Sequence, residues 1–244
     1  MAGTTVLVIG WKVAVVAETR TQTPTGRSIV LDVPGWGGNA AGQHLDVRVT
    51  APDGYQAVRA YSVASAVAGD RLELAVDRFD GGEVSPYLVD DLRSGDQLEV
   101  RGPLGGWFVW RPQQSGPVQL IGGGSGIVPL VAMIRAHRAS ESAAPFRLLY
   151  SVRSDQDAFF RGELDQPDPG LEVTWLYTRK PPQGWPRPAG RMTRADLAAF
   201  SFPLSDSPAT FVCGPTGFVE AVASGLVAFG HDPSSIKTER FGGS

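Results

Sequence analysis

One change of rhythm, at RPQQSGP (residues 111–117), constrains this chain more than any other feature. Before it, apolar and polar residues alternate in short runs; after it, short apolar runs alternate with stretches of helical period. The early runs are Trp11–Glu18, Arg27–Val33, His44–Thr50, Gln56–Ser65, Arg71–Arg78 and Gln97–Arg101, parted by turn signals such as PGWGGN, PDGY and AGD. Closely spaced strands of this kind predict an antiparallel β-barrel, because closure removes exposed edges. A short helix over Ser85–Leu92 interrupts them, with Leu88, Val89 and Leu92 on one face. Beyond the switch, strands at Val118–Ile121, Phe146–Ser151, Leu171–Tyr177 and Thr210–Cys213 alternate with helices over Leu130–His137, Gln156–Leu164, Thr193–Ala199 and Thr216–Phe229. That order predicts an α/β doubly wound parallel sheet. We therefore expect two domains, 1–113 and 114–244.

Composition removes several classes of function. With Lys+Arg 22 against Asp+Glu 25 the net charge is −3, so no global field calls for nucleic acid or anionic lipid. One Cys and 3 His cannot form an internal disulfide, a Cys-rich metal site or a four-cysteine iron–sulfur centre. No apolar run approaches the length of a membrane span, and MAGTTVLVIG lacks the pattern of a signal peptide. The expectation is a soluble, cytoplasmic protein.

Four segments carry chemistry. In RAYSVAS, alternation puts Arg59 and Tyr61 on one face of a strand, where an Arg fork suits a diphosphate and a Tyr ring suits a flat ligand. An exposed Arg and a packed Tyr would equally suit any barrel strand. GGEVSPYL runs a Gly-rich turn into a helix start, which can bind phosphate, although Ser85 as N-cap and Pro86 at the first helical position need no ligand. GGGSGIVP lies between a buried strand and a helix, and its glycines let the backbone approach a pyrophosphate. It departs from G-x-G-x-x-G because Ile127 stands at the third glycine. In CGPTGFVEAV another strand meets another helix; Cys213 reads equally as a small buried hydrophobe.

In this order, the four segments resemble the ferredoxin–NADP⁺ reductase superfamily over roughly residues 9–242. The resemblance implies a flavin-binding barrel followed by a nicotinamide-nucleotide-binding α/β domain. Arg59 would hold the flavin diphosphate, Tyr61 would pack on the isoalloxazine, Ser62 would sit near its N5, and Val63 completes the motif. Gly82, Val84 and Ser85 match the second diphosphate loop, and Gly123, Gly124, Ser125 and Gly126 match the nicotinamide-dinucleotide loop. Cys213, Gly214 and Pro215 would place the thiol beside the nicotinamide. In TERFGGS, Phe241 would approach the flavin, with Glu239 a second candidate. Ser62, Cys213 and Glu239 are thus the expected catalytic residues, and no metal is expected.

The flavin implied is FAD, and the co-substrate NADPH, with NADH possible. After Tyr177 the segment TRKPPQGWPRPAGR (178–191) holds four basic residues and no acid, a composition that suits a ribose 2′-phosphate, or simply a solvated, Pro-stiffened loop. Thr178 and Arg179 match the family's Ser-Arg position for that phosphate, with Arg191 beside them. The electron acceptor implied is a separate molecule: a ferredoxin, a flavodoxin, an oxygenase or other metalloenzyme, or a small molecule such as a quinone or flavin. Two alternatives stay open, a free-standing flavin or quinone reductase and a redox-silent FAD- or nucleotide-binding module.

Overall fold

A computed structural model describes residues 10–66 and 68–241. The start of the chain, read above for a signal peptide, and the GGS of its last motif lie outside the described residues.

Six strands form the first sheet: β1 (Lys12–Thr23), β2 (Gly26–Asp32), β3 (His44–Thr50), β4 (Gln56–Ser62), β5 (Arg71–Asp77) and β6 (Gln97–Leu104), in the order β4-β3-β6-β1-β2-β5 with every pairing antiparallel. A bridge between Val63 and Leu74 joins the two outer strands, so the sheet closes as the alternation predicts. Every second residue turns inward: Ala14 and Val16, Ile29 and Leu31, Leu45 and Val47, Leu72 and Leu74 are buried in one core.

The helix expected over Ser85–Leu92 is present from Ser85 to Asp91, wound as a π-helix over Tyr87–Asp91. Its apolar residues are buried as expected. Ser85 does not cap it: the hydroxyl accepts the Phe79 amide at 3.0 Å, so it braces the preceding loop.

The second sheet is parallel, in the order β11-β10-β7-β8-β9, built from β7 (Val118–Gly123), β8 (Phe146–Ser154), β9 (Leu171–Lys180), β10 (Ala209–Pro215) and β11 (Ile236–Phe241). Helix α1 (Ile127–Arg138) packs on one face with Leu120, while α3 (Arg194–Phe200) and α4 (Thr216–Ala228) cover the other with Ile121. β7 is buried on both faces, which explains its unbroken apolar reading. The expected Gln156–Leu164 helix shrinks to a 3₁₀ turn at Asp155–Asp157 and the single turn α2 (Arg161–Leu164). β9 runs on to Lys180, so Thr178 and Arg179 sit in a strand end rather than a loop.

Arg135, in the last turn of α1, joins the two halves. It contacts Glu73 of β5 at 2.6 Å, donates to the Ala64 carbonyl at 3.1 Å, and contacts Glu163 of α2 at 2.6 Å. Its guanidinium also lies 4.9 Å from the ring centroid of Phe160, a residue held at φ 56° in the left-handed region. Gln22 of β1 accepts the Phe160 amide at 3.1 Å, and the Phe159 ring fills the space that a Cβ on Gly26 would need. We expect Arg135→Ala to lower stability by about 2 kcal/mol, because it strands two carboxylates that are mostly shielded from water. Arg20→Ala, which removes an exposed pair with Glu18, should leave the urea midpoint unchanged. Equal midpoints for both variants would refute the role given to Arg135.

Candidate functional site

In a sheet ordered this way, the chain leaves β7 and β10 toward opposite faces, and a crevice opens outside their C-terminal ends. A cleft of about 600 Å³ lies there. Its floor includes Gly123, Gly124 and Ser125, where β7 passes through the turn Gly124–Gly126 into α1. Gly124 adopts φ +55°, and a Cβ on Gly126 would overlap the Cys213 carbonyl. Side chains at these two positions would therefore strain the turn or push β7 and β10 apart. No side chain caps α1 or α4; the Ile127 amide that opens α1 is already taken by the Gly124 and Ser125 carbonyls, which leaves the start of α4 as the better place for an anion.

Gly123, Gly124, Ser125, Thr178, Arg179, Arg191, Pro215 and Phe241 all line this one cleft, though they come from segments far apart in the chain. Arg179 and Arg191 make no ion pair among the described residues. Arg187, from the same basic segment, is committed elsewhere: it pairs with Asp196, whose carboxylate closes the capping box of α3 with Thr193.

A second group meets where the halves touch. The Ser62 hydroxyl, at the end of β4, donates to Glu239 Oε1 at 3.3 Å. Glu239 lies on β11 directly opposite Cys213 of β10. Burial pushes its carboxyl up to about 7, against the opposing pull of the Ser62 hydrogen bond. Burial, with Glu239 nearby, likewise drives the Cys213 thiol upward, so it stays protonated and unreactive. Cys213 is fully buried and does not line the cleft.

The remaining expected residues lie on the barrel. Arg59 contacts Glu83 at 2.8 Å and donates to the Val58 carbonyl, while Tyr55 donates to the other Glu83 oxygen at 2.7 Å. Tyr61 is half-buried, and burial raises its hydroxyl pKa. A Cβ on Gly82 would come within 3.1 Å of both the Phe79 carbonyl and the Ser85 hydroxyl. The side chains of Val63 and Val84 are sealed in the barrel core, which leaves only their backbone to face a ligand.

Sequence reasoning missed several residues of the cleft, among them Arg153 near the end of β8, and Thr23, Thr25 and Asp77 from the barrel. Arg153 could have been found, since it stands at the C-terminal end of a parallel strand, where open α/β sheets bind ligands. The barrel residues carry no such signal. Glycine turns, an uncapped helix start and unpaired arginines fit the phosphates of a dinucleotide, and an aromatic with a nearby arginine fits a flavin nucleotide.

Barrel, parallel sheet and cleft together define a two-part flavin- and nicotinamide-nucleotide-binding protein. Residues 24–109 match the family model of the oxidoreductase FAD-binding domain, and residues 120–224 that of the oxidoreductase NAD-binding domain. The chain belongs to the ferredoxin reductase-like family of FAD- and NAD-binding oxidoreductases. It is 32% identical to the ferredoxin reductase component of 3-ketosteroid-9-alpha-monooxygenase from Mycolicibacterium smegmatis, over 93% of this chain and 64% of that one. It is 29% identical to the ferredoxin–NAD(P)(+) reductase component of the naphthalene 1,2-dioxygenase/salicylate 5-hydroxylase systems of a Ralstonia species, over 82% of this chain and 60% of that one. The chain thus spans less than two thirds of the length of these curated relatives. Among solved structures, the FAD/NAD-binding domain of nitric oxide dioxygenase from Vibrio cholerae superposes with a TM-score of 0.82 at 27% identity, covering 95% of this chain and 99% of that one. Among the described residues no helix is long and apolar enough to cross a membrane.

Glu239 yields a prediction with a definite sign. Its carboxyl titrates near 7 in the folded chain against an ordinary value of 4.5, so ionisation opposes folding, and stability is lost as pH rises between those two values. Glu239→Gln should therefore be more stable than the parent at pH 8, by up to about 3 kcal/mol, with little difference at pH 5. Urea midpoints at the two pH values check this; a constant offset would refute it.

Proposed function

We propose that this chain is a reductase that takes electrons from NADPH through FAD to a separate acceptor. The observation that carries the reading is the adjacency of two sites: the arginine-rimmed glycine cleft opens beside the seam where Ser62 of the barrel meets Glu239 of the sheet. FAD, when bound, accepts a hydride from the nicotinamide and releases the electrons onward.

The residues present suit the remaining tasks. Arg59, with the Gly82–Ser85 loop, would hold the FAD diphosphate, and Tyr61 would lie against its ring system. The turn from Gly123 to Gly126 and the uncapped start of α4 would hold the nucleotide pyrophosphate. Thr178, Arg179 and Arg191 would take the 2′-phosphate, which favours NADPH over NADH. Pro215 and Phe241 wall the cleft, so Phe241 controls access toward the seam. Ser62 and Glu239 hold a proton at the carboxylate, whose pKa near neutrality suits exchange at physiological pH. Cys213 and Gly214 act through shape, since the thiol is protonated and the backbone beneath it supports Gly126. We place the hand-over between the FAD and nucleotide parts at residues 113 and 114.

The relatives named above serve oxygenase systems, which makes an oxygenase or the ferredoxin that feeds one the leading acceptor. The purified protein, loaded with FAD and held without oxygen, should be bleached faster by NADPH than by NADH, and Arg179→Ala should raise KM for NADPH roughly tenfold or more while barely touching NADH. Equal rates with both nucleotides would discard the 2′-phosphate reading; no bleaching with either would discard the reductase.

Arg59 gives a further check, on FAD affinity. Its pair with Glu83 is solvent-exposed on both sides, a class worth at most about 1 kcal/mol, so an arriving diphosphate can displace it. Glu83→Gln should tighten FAD binding by roughly two- to fivefold, and Arg59→Ala should weaken it by roughly tenfold or more. Isothermal titration with FAD measures both, and weaker binding by Glu83→Gln would show that the carboxylate supports the site.

A further inference from the structure

Arg191 reaches the cleft on a segment without helix or strand, yet two clasps hold that segment. Residues 181–190 leave the end of β9 and return to it. Four of them are prolines, Pro181, Pro182, Pro186 and Pro188, whose fixed φ leaves the chain few conformations. The Gly190 amide donates to the Tyr177 carbonyl at 3.0 Å, on the open side of β9, which brings Arg191 back beside Thr178 and Arg179. Midway round the loop, the Trp185 ring meets the Tyr177 ring edge-on, with centroids 5.0 Å apart. The Tyr177 ring is itself fixed, since its hydroxyl accepts from Arg161 at 2.8 Å and donates to Asp155 at 3.3 Å. Tyr177 thus anchors the loop twice, by main chain and by side chain.

The second clasp is ionic. Arg187 contacts the Asp196 carboxylate, which also accepts the Thr193 amide at 2.6 Å and the Thr193 hydroxyl at 2.7 Å. Thr193 and Asp196 suffice to cap α3, so Arg187 adds nothing that the helix start requires. What the pair does is close a ring of chain from Arg187 to Asp196, with Arg191 inside it. The two side chains are only 25% and 9% exposed, so water screens the pair weakly. An arginine held in this way gives up less freedom when it grips a phosphate than one carried on a slack loop. We propose that Arg187 and Trp185 are positioning residues for the ribose 2′-phosphate: neither lines the cleft, and both hold Arg191 beside Arg179. The inference rests on the reading of Thr178, Arg179 and Arg191 as the 2′-phosphate site.

Arg187→Met keeps the stem and removes the charge; Trp185→Ala removes the ring. Isothermal titration of the FAD-loaded protein with 2′,5′-ADP and with 5′-AMP, which differ only in the 2′-phosphate, reads the effect without turnover. Each variant should bind 2′,5′-ADP roughly three- to tenfold more weakly than the parent and bind 5′-AMP as the parent does. Arg187→Lys and Trp185→Phe should recover most of the loss. With ferricyanide as acceptor, KM for NADPH should rise by the same factor, while kcat and KM for NADH stay at the parent's values. A merely structural role would weaken both ligands alike. That result, or parental affinity for 2′,5′-ADP in a variant, overturns the part given to that residue. A parent that binds the two ligands equally would instead overturn the 2′-phosphate reading itself, and this inference with it.

Discussion

A single guanidinium sets the geometry on which both sites depend. Helix α1 is 12 residues long, about 18 Å, with the glycine turn at its first end and Arg135 in its last turn. By gripping Glu73 and the Ala64 carbonyl, Arg135 fixes that helix against the barrel just beyond the RAYS segment. The distance between the glycine turn and β4 is thereby set by a rigid element instead of by the connecting loop. Glu163 and the Phe160 ring complete the charge and stacking partners of the guanidinium, and they hold the left-handed Phe160 beside the hairpin that walls the cleft. One side chain thus organises the approach of the two halves and the shape of the space between them.

The seam itself is polar where cores usually are not. Ser62 and Glu239 meet at the boundary, and the carboxyl is driven toward neutrality by its surroundings. A carboxyl group shielded from water in this way costs stability when ionised. The neighbouring thiol contrasts with it. Cys213 is shielded so thoroughly that it acts only as a small filler, and its carbonyl, packed against Gly126, is the part that shapes the site.

Much of the architecture was legible because the chain states it locally. β3 spans His44–Thr50 as read, since a clean alternation is bracketed by a glycine turn and the PDGY turn. The order of strands and helices after residue 117 follows from their periods alone. What escaped notice lacks a period. β11 runs through IKTERF on the sheet edge, where only Ile236 is buried, so nothing in its hydrophobicity marks it as a strand. The Gln156–Leu164 stretch reads as helical but is broken by the left-handed Phe160, a conformation imposed by Arg135 and Gln22 from far along the chain. Within the site, the glycine turn, Arg179, Arg191 and Phe241 were visible from motif and resemblance, and they converge on one cleft. Thr23, Thr25 and Asp77 were invisible because their part depends on how a barrel hairpin docks against another sheet. Ile127, the departure from the usual glycine spacing, proves to be the first residue of α1 and is fully buried, while Gly126 makes the close approach to β10.

The backbone contact between Gly126 and the Cys213 carbonyl has a consequence for how such a site can diversify. Its floor is made of main chain pressed on main chain, so there is no side chain there to exchange and little room to adjust. The rim is different: Thr178 and Arg179 sit at the end of β9, a strand with one free edge, and Arg191 follows in the segment beyond it. Changes there need not disturb the floor. Selection acting on this fold would therefore find nucleotide preference easy to retune and the pyrophosphate seat nearly impossible to rebuild, which separates the part of the protein that can drift from the part that cannot.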